Sequence, residues 1–369
     1  MDLAYLNPLF ARPGPWASVY ADTSRHTEST ANDRRVEAQA AVRTLAAQGA
    51  DEPTCRAVGA AVEALGDQHT AAGRAIFATG GEVVLDPPLL SPPAGDQVHW
   101  GVLPRVAPLV ELNGEDLVCL VAYIDRKGAD FELRGPSGAR FSGEIAGQDW
   151  PLHRTPTGDW SERHFQTKVE NTWKENAGLT AQALAAHHEE TRADLVILVG
   201  GERERRAVYD ALPQQLRERA VESGHGGRAA GADTRLLDED VQRAMAAYEQ
   251  GRVAADLERF EAGRGRHGGP QAAAEGVPAL VEAAREHRIA ELLLEPTGPD
   301  LHRTVWVGPD PDQLAVRRSD VPYLGERRPE PARADDALLR SAAATGAEAL
   351  AVPAPNGPAG GLGALLRWA

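Results

Sequence analysis

The clearest pattern in the chain is a set of apolar runs of strand length, separated by turns and by one long helical stretch. Leu117 to Ile124 is an apolar run that ends at the turn Asp125-Arg126-Lys127-Gly128. Ala129 to Arg134 alternates as a returning strand. Helical signals begin at about Ser161 and continue through His188, before a second apolar run from Asp194 to Gly201. This order predicts a mixed sheet with helices on its faces.

The segments on either side also alternate between helical and strand patterns. Trp16 to Asp22 and Ile289 to Leu294 predict strands, and Ala334 to Gly346 predicts a helix. A chain of 369 residues is also too long for a single core. We therefore predict an α/β fold of three domains: an N-terminal α/β domain (1–114), a middle domain with an exposed loop (115–232) and a C-terminal α/β/α sandwich (233–369).

Composition narrows the classes of function. Apolar residues make up 42% of the chain and the formal net charge is −15, so a contact with RNA requires a local basic patch. Cys55 and Cys119 are the two cysteines, which suits neither a disulfide framework nor a metal knuckle. No apolar run approaches the ~20 residues that a membrane span needs. These features predict a soluble cytoplasmic protein.

The segment 149–165 combines irregular backbone with side chains that bind nucleic acid. Pro151, Pro156 and Gly158 keep it out of regular structure. Aromatic faces stack on unpaired bases while arginine contacts phosphate, which is how single-stranded RNA is usually held. An alternative is that the two tryptophans of the segment pack as local core. The candidate RNA-binding residues are Trp150, His153, Arg154, Trp160, Arg163 and His164.

Carboxylates offer a second interpretation, in which the protein is an enzyme. Asp125, Glu132 and Asp194 come at the ends of predicted strands of one sheet, where a carboxylate cluster could hold divalent metals for nuclease chemistry. The alternative is that Asp125 opens a turn and Asp194 caps a connection. Gly200-Gly201 lacks a phosphate-binding pattern, and His187-His188 point about 100° apart, as at a solvated helix end. We favour these structural roles and expect no catalytic residue, metal or cofactor.

The order of these segments resembles the archaeal and eukaryotic release factor 1 family, together with Pelota and the bacterial members of that superfamily. The resemblance covers most of 115–295. It runs from the strand Leu117 to Ile124 through the interrupting loop and the long helix, then through the glycine-rich segment Ser223 to Gly231 and the helix from Asp238. Gly276 to Ala283 looks like the start of the family's C-terminal domain, whose fold resembles kink-turn-binding ribosomal proteins.

One departure from the family changes what the resemblance implies. In release factors the corresponding loop carries Gly-Gly-Gln, which orders water at the peptidyl-tRNA ester, whereas 149–165 contains Trp-Pro-Leu-His-Arg. The nearest imitation, Gly268-Gly269-Pro270-Gln271, lies in the third region. The stop-codon-reading motif is also absent. The resemblance therefore implies a ribosome hibernation factor that occupies the ribosomal A site with elongation factor Tu. Its loop would reach the peptidyl transferase centre without releasing peptide.

Other interpretations stay open. The resemblance places elongation factor Tu around Ser223 to Asp233, where the second and third domains meet. The enzymatic alternative is a metal-dependent nuclease, or a peptidyl-tRNA hydrolase that uses 149–165. A third possibility is a stress-induced adaptor that binds only protein. The separation of Asp125, Glu132 and Asp194 tests the nuclease, because two catalytic metals lie ~4 Å apart.

Overall fold

The structure is a computed structural model of the 369-residue chain. It describes the backbone of residues 1–23, 31–67, 72–95, 97–113, 117–135, 138–146, 159–227, 234–264 and 271–368. Side chains are described for the same residues except 31, 66–67, 138, 146, 159–173 and 234. Within these ranges no helix is both long enough and apolar enough to cross a membrane.

Helices and strands occur throughout the described parts of the chain. The α-helices are α1 (Asn7–Phe10), α2 (Ala31–Ala47), α3 (Glu52–Glu63), α4 (Ala107–Asn113), α5 (Asp159–Thr191), α6 (Glu202–Ala211), α7 (Gln214–Arg217), α8 (Thr234–Gly263), α9 (Val277–Arg285) and α10 (Ala334–Ala344). The strands are β1 (Trp16–Asp22), β2 (Gly73–Thr79), β3 (Glu82–Leu85), β4 (Pro88–Leu89), β5 (Gln97–Gly101), β6 (Cys119–Ile124), β7 (Gly128–Gly135), β8 (Gly138–Ala146), β9 (Leu195–Gly200), β10 (Ala220–Ser223), β11 (Ala273–Glu275), β12 (Ile289–Leu294), β13 (Thr304–Val307), β14 (Leu314–Ala315), β15 (Glu330–Arg333), β16 (Glu348–Ala351) and β17 (Leu362–Leu366).

These elements form two compact units. The middle unit is Asp116–Arg252, and the terminal unit combines Met1–Glu115 with Val253–Ala369. The mixed α/β class predicted from the sequence is confirmed. The division into three domains stays a prediction.

The middle unit is built on one mixed sheet with the strand order β10-β9-β6-β7-β8. Strand β6 pairs in parallel with β9 and antiparallel with β7. On one face, Leu120 and Ala122 of β6 pack with Leu184 of α5 and Val208 of α6. On the other face, alternate residues of β6 and β9 pack against the start of α8. Both faces are therefore covered, which is why β6 and β9 are continuous apolar runs in the sequence.

The terminal unit draws one hydrophobic core from both ends of the chain. Leu3, Leu6 and Leu9 are fully buried in the same cluster as Leu338 and Leu339 of α10. The amino-terminal nitrogen of the chain donates a hydrogen bond to a backbone oxygen on β16. The sheet β3-β2-β1-β5 contributes one face to this cluster and packs its opposite face against α2 and α3. The first and last segments of the sequence consequently share a core in this unit.

The C-terminal part of the terminal unit is a layered sandwich. Its sheet has the order β11-β17-β12-β16, with β12 parallel to β16 and antiparallel to β17. Leu292 and Leu294 of β12 face the cluster that contains α9 and α10. Leu293, between them, packs with Phe260 of α8 on the opposite face. This arrangement confirms the predicted α/β/α sandwich. A separate small sheet, β14-β13-β15, belongs to the same unit.

Candidate nucleic-acid interface

The predicted RNA-binding segment 149–165 falls in two parts. Residues 147–158 lie outside the described residues, so nothing tests the placement of Trp150, His153 and Arg154. The backbone is already helical at Asp159, where α5 begins. The predicted loop therefore ends earlier than expected. Trp160, Arg163 and His164 occupy helical positions i, i+3 and i+4, which share one side of a helix.

The connection between β8 and α5 leaves the sheet beside the turn Asp125–Gly128. Ala146, at the end of β8, is paired with Gly128 at the start of β7. Arg126 and Lys127 are exposed on this turn, and the Arg126 guanidinium is 3.0 Å from a Glu204 carboxylate oxygen. The buried Asn176 of α5 donates from Nδ2 to the Arg126 carbonyl oxygen at 3.1 Å. Two exposed cationic residues thus lie on the turn beside the end of β8, three residues before the predicted RNA-binding segment in the sequence.

The carboxylates considered for a metal site lie at opposite ends of the sheet. Strands β6 and β9 run parallel, from Cys119 beside Leu195 to Ile124 beside Gly200. Asp194 precedes one end of this pair and Asp125 follows the other, so they are about 20 Å apart at ~3.3 Å per residue. Since paired catalytic metals lie ~4 Å apart, the nuclease interpretation of this set is wrong.

The two aspartates instead bond to backbone. Asp194 Oδ2 accepts a hydrogen bond from the backbone N–H of Val118 at 2.9 Å. Asp125 Oδ1 accepts from the N–H groups of Lys127 and Gly128, at 2.7 and 3.0 Å. Asp125 therefore opens the turn, and Asp194 fixes the entry into β9, as the structural alternative predicted.

Glu132 belongs to a closed network on the α8 side of the sheet. Its carboxylate accepts from the Tyr123 hydroxyl at 3.1 Å and from Arg134 Nε at 2.6 Å. Arg134 also reaches the Asp238 carboxylate of α8, at 2.5 Å. Burial raises the pKa of Tyr123, which keeps its hydroxyl a donor. Among the described residues no group of three or more His, Cys, Asp and Glu side chains could hold a metal ion.

The remaining sequence motifs of the middle unit have structural roles. A Cβ at Gly200 would lie 2.2 Å from the Ile124 carbonyl oxygen, and its φ is +143°, so the strand-to-helix turn before α6 requires glycine. The His187 ring lies 4.8 Å from the Phe131 ring, and its Nδ1 is 3.7 Å from Glu190. The predicted turn at Gly200 is confirmed. His187 packs against the sheet rather than lying at a solvated helix end.

A Ser–Asp–His cluster at the end of β10 was not predicted from the sequence. The Ser223 hydroxyl donates to Asp240 Oδ2 at 2.6 Å, and His225 Nδ1 is 2.9 Å from the same oxygen. Hydrogen bonds from Ser223 and then His225 lower the pKa of Asp240. In a catalytic triad the histidine stands between serine and carboxylate, whereas in this cluster the carboxylate stands between them. The cluster therefore ties the chain at Ser223 to the start of α8 and does not activate a nucleophile.

The terminal unit contains a buried ionic cluster. Arg105 Nη1 is 2.6 Å from Asp335 Oδ2 and 3.0 Å from Asp336 Oδ2. Asp336 Oδ1 also accepts hydrogen bonds from the backbone N–H groups of Val106 and Ala107, at the start of α4. Burial, and then the neighbouring Asp335 carboxylate, raise the pKa of Asp336 to about 7. This cluster joins α4 to α10 and is a structural feature.

The same unit has a cavity of about 480 Å³ next to the turn that follows β13. Its walls carry three arginines and three acidic side chains, so the charges balance. The buried Arg340 donates to the carbonyl oxygens of Gly308 and Asp310, at 2.9 and 3.1 Å. The charged residues of the wall are Arg12, Asp310, Glu326, Arg328, Glu330 and Arg340. We assign no ligand to this cavity.

Comparison with known proteins gives a consistent result for the middle of the chain. Residues 118–266 match the model of bacterial archaeo-eukaryotic release factor family 2. Over 366 residues the chain is 28% identical to Uncharacterized protein Rv2629 of Mycobacterium tuberculosis strain H37Rv, covering 98% of this chain and 95% of the relative. The corresponding protein MT2704 of strain CDC 1551 matches equally.

Solved structures with similar folds include archaeal proteins. The crystal structure of the archaeal translation termination factor aRF1 is 16% identical, with a TM-score of 0.25 and coverage of 99% and 97% of the two chains. Pelota of Archaeoglobus fulgidus is 14% identical, with a TM-score of 0.35 and coverage of 100% and 92%. A ribosome-bound archaeal Pelota is 14% identical, with a TM-score of 0.40 and coverage of 99% and 94%.

The matched residues include the whole sheet β6–β10, the helices α5, α6 and α7, and α8. They also include the connection between β8 and α5 that distinguishes this chain from Gly-Gly-Gln factors. Residues 118–266 are therefore similar to bacterial archaeo-eukaryotic release factor family 2.

Proposed function

We propose that the protein is a ribosome-associated hibernation or rescue factor that occupies the A site without releasing peptide and is not an enzyme. One observation carries this proposal. The family match at 118–266 includes the connection between β8 and α5, where the sequence has Trp-Pro-Leu-His-Arg in place of Gly-Gly-Gln. A factor of this kind that lacks the glutamine would occupy a tRNA site while leaving the peptidyl-tRNA ester intact.

The segment 149–165 is proposed to contact ribosomal RNA at the peptidyl transferase centre. Trp150 and Trp160 would stack on unpaired bases, and Arg154 and Arg163 would contact phosphates. The turn beside the end of β8 supports this role, because it carries the exposed Arg126 and Lys127, of which Arg126 also pairs with Glu204. On a chain of net charge −15, such local concentrations of cations are the means of binding RNA.

Elongation factor Tu is the proposed carrier. The net charge of −15 makes long-range attraction to ribosomal RNA unfavourable, so unaided encounter should be slow. A carrier that already docks at the ribosome would remove this handicap. The proposed contact is the segment from Ser223 to Asp233, of which residues 228–233 lie outside the described set. The Ser223–Asp240–His225 cluster supports this choice, because it gives the start of the segment a fixed position on α8.

The test is cosedimentation of the purified chain with vacant 70S ribosomes. Replacing His153, Arg154, Arg163 and His164 with alanine should weaken ribosome binding at least tenfold, because it removes phosphate contacts and neighbours of the stacked bases. The matched control replaces two arginines and two histidines that are exposed elsewhere on the chain: Arg140, Arg219, His287 and His302. The control should bind like the wild type.

Two further arms of the same experiment separate the alternatives. Peptide release from a programmed ribosome should be negligible. Release at the rate of a genuine release factor would instead establish a peptidyl-tRNA hydrolase. Adding elongation factor Tu should raise ribosome occupancy, and the occupancy should depend less steeply on salt than for a basic RNA binder, because few phosphates are neutralised. If the wild-type chain stays in the supernatant under every condition, the ribosome proposal fails and a protein-only adaptor is favoured.

A further inference from the structure

The connection between β14 and β15 is a surface segment that the proposed function does not use. Strands β14 and β15 flank β13 on either side, and residues 316–329 cross from one to the other. The crossing contains a 3₁₀ helix, Arg318–Leu324, whose Val321 is fully buried. We call residues 317–328 the arginine turn, because they hold the doublets Arg317-Arg318 and Arg327-Arg328.

The arginine turn is held in one conformation at its base. Gln313 donates from Nε2 to the Leu324 carbonyl oxygen at 3.1 Å, and its Oε1 accepts from the Asp310 N–H at 3.1 Å. Gly325 ends the 3₁₀ helix with φ +98°, a conformation that favours glycine. The buried Arg340 holds the neighbouring carbonyl groups of Gly308 and Asp310. A rigid base of this kind fixes the direction in which the exposed side chains project.

The guanidinium groups of the turn have no acidic partner among the residues that the structure describes. All four arginines are exposed, and within the described chain none of them forms a side-chain hydrogen bond or an ion pair. Arg318 lies over the Trp306 ring at 5.3 Å, which orients the guanidinium without neutralising it. Some exposed arginines on the helices do have a carboxylate partner: Arg56 pairs with Glu52 at 2.8 Å, and Arg206 with Asp210 at 3.2 Å.

An aromatic ring stands between the two arginine doublets. Tyr323 is 90% exposed, more than any other large apolar side chain in the described part of the chain. The seven-residue 3₁₀ helix spans about 14 Å at ~2.0 Å per residue and lies between the two doublets in the sequence. The segment 317–328 carries four arginines against Asp320 and Glu326, and is therefore positive on an acidic chain.

We infer that the arginine turn is a second nucleic-acid-binding surface, which takes an unpaired single-stranded segment by stacking a base on Tyr323 and contacting the flanking phosphates with the four arginines. Exposed rings beside arginine are the usual components of single-strand binding, because every base has a face that can stack. An acidic peptide would satisfy the guanidinium groups but would leave the fully solvated ring without a role. The choice of RNA as the nucleic acid rests on the proposed ribosomal function. The inference that the surface binds a single strand by stacking does not rest on that function.

The test uses the full chain and a labelled single-stranded oligouridine of about ten nucleotides, a length within the range that one binding module covers. Fluorescence anisotropy is measured over a series of salt concentrations. Replacing Arg317, Arg318, Arg327 and Arg328 with glutamine should weaken binding at least tenfold. It should also reduce the slope of log K against log salt concentration by up to about 3, because each phosphate contact on a single strand contributes ~0.7 to that slope. The control makes the same four replacements at Arg140, Arg192, Arg219 and Arg285, which are exposed and have no partner within the described ranges, and should retain binding.

Two single variants test the ring. Tyr323→Ala should weaken binding about tenfold, within the range of one lost base stack, whereas Tyr323→Phe should bind like the wild type. A duplex RNA of the same length should bind less well than the single strand, because its bases are already stacked. If the arginine and control variants lose binding equally, or if polyglutamate competes while Tyr323→Ala has no effect, the surface does not bind single strands.

Sedimentation with ribosomes separates this inference from the proposed function. Binding of oligouridine by a chain that does not sediment with ribosomes would support the arginine turn and count against the ribosomal proposal. Sedimentation of a chain that does not bind oligouridine would overturn the arginine turn and leave the ribosomal proposal standing.

Discussion

Two arginine-rich regions of the terminal unit use the same side chain in opposite ways. Around Arg105, two aspartates with almost no solvent exposure receive the guanidinium, and the backbone at the start of α4 completes the hydrogen bonding. In the arginine turn, four guanidinium groups project into solvent without a carboxylate partner in the described chain. The Arg105 cluster is internal to the fold, whereas the guanidinium groups of the arginine turn are available to form hydrogen bonds and ion pairs with a binding partner.

This contrast gives a criterion that distinguishes charged clusters that stabilise the fold from charged clusters that bind a partner. Breaking a buried ion pair leaves an uncompensated charge in a poorly solvated place, so the cost appears in folding. Exposed and unpaired charges cost the fold little, so a cluster of them is informative about binding. The same criterion assigns Asp125, Glu132 and Asp194 structural roles. Each is occupied by hydrogen bonds that shape the sheet.

The largest effect on stability is expected at the buried cluster around Arg105. Asp336→Ala should lower the free energy of unfolding by about 3 kcal/mol, because it removes one partner of Arg105 and leaves two N–H groups of α4 without an acceptor. Urea unfolding monitored by tryptophan fluorescence measures this. Arg56→Ala is the control: its pair with Glu52 is exposed and should contribute less than about 1 kcal/mol. Equal losses in the two variants would remove the contrast between buried and exposed arginines.

A smaller effect concerns the dependence of stability on pH. The pKa of Asp336 is raised to about 7, so the folded chain holds this proton at pH values where the unfolded chain, with a pKa near 4, has lost it. The stabilising contribution of the protonated group is full below about pH 4 and is lost as pH rises through about 7. Asp336→Asn removes this titration and should make the free energy of unfolding less dependent on pH between 5 and 8.

The measurement is a set of urea titrations across that pH range for the wild type and for Asp336→Asn. Glu52→Gln, at an exposed position, is the control and should follow the wild-type curve. A wild-type stability that rises from pH 5 to pH 7, with the Asn variant parallel to it, would contradict the raised pKa.

The sequence was most informative where structure is local or fully buried. The apolar runs that became β6 and β9 were recognisable because strands covered on both faces have no polar interruptions. The turn at Asp125 was predicted from its residue types, and the carboxylate indeed accepts the turn's N–H groups. The Gly200 turn was predicted in the same way.

The sequence was least informative where structure depends on distant partners. Strand β17 (Leu362–Leu366) was not predicted, because its neighbourhood is rich in glycine and its existence depends on pairing with β11 and β12. The shared core of Leu3 and Leu338 joins residues more than three hundred positions apart, which periodicity does not record. The arginine doublets at 317–318 and 327–328 were visible in the sequence. That they have no acidic partner among the described residues could be learned only from the folded chain.

The smallest effect on stability is expected for the four exposed arginines of the arginine turn. Replacing Arg317, Arg318, Arg327 and Arg328 with glutamine should change the free energy of unfolding by less than about 0.5 kcal/mol, because solvent-exposed substitutions away from packed features rarely do more. The hydrogen bonds that hold the turn come from Gln313 and do not involve these four side chains. Urea unfolding at low and at high salt makes the measurement.

A loss comparable to that of Asp336→Ala would mean that the arginines support the fold. In that case any loss of RNA binding in the same variant could be attributed to unfolding. Unchanged stability together with lost oligouridine binding would place the arginines at an interface.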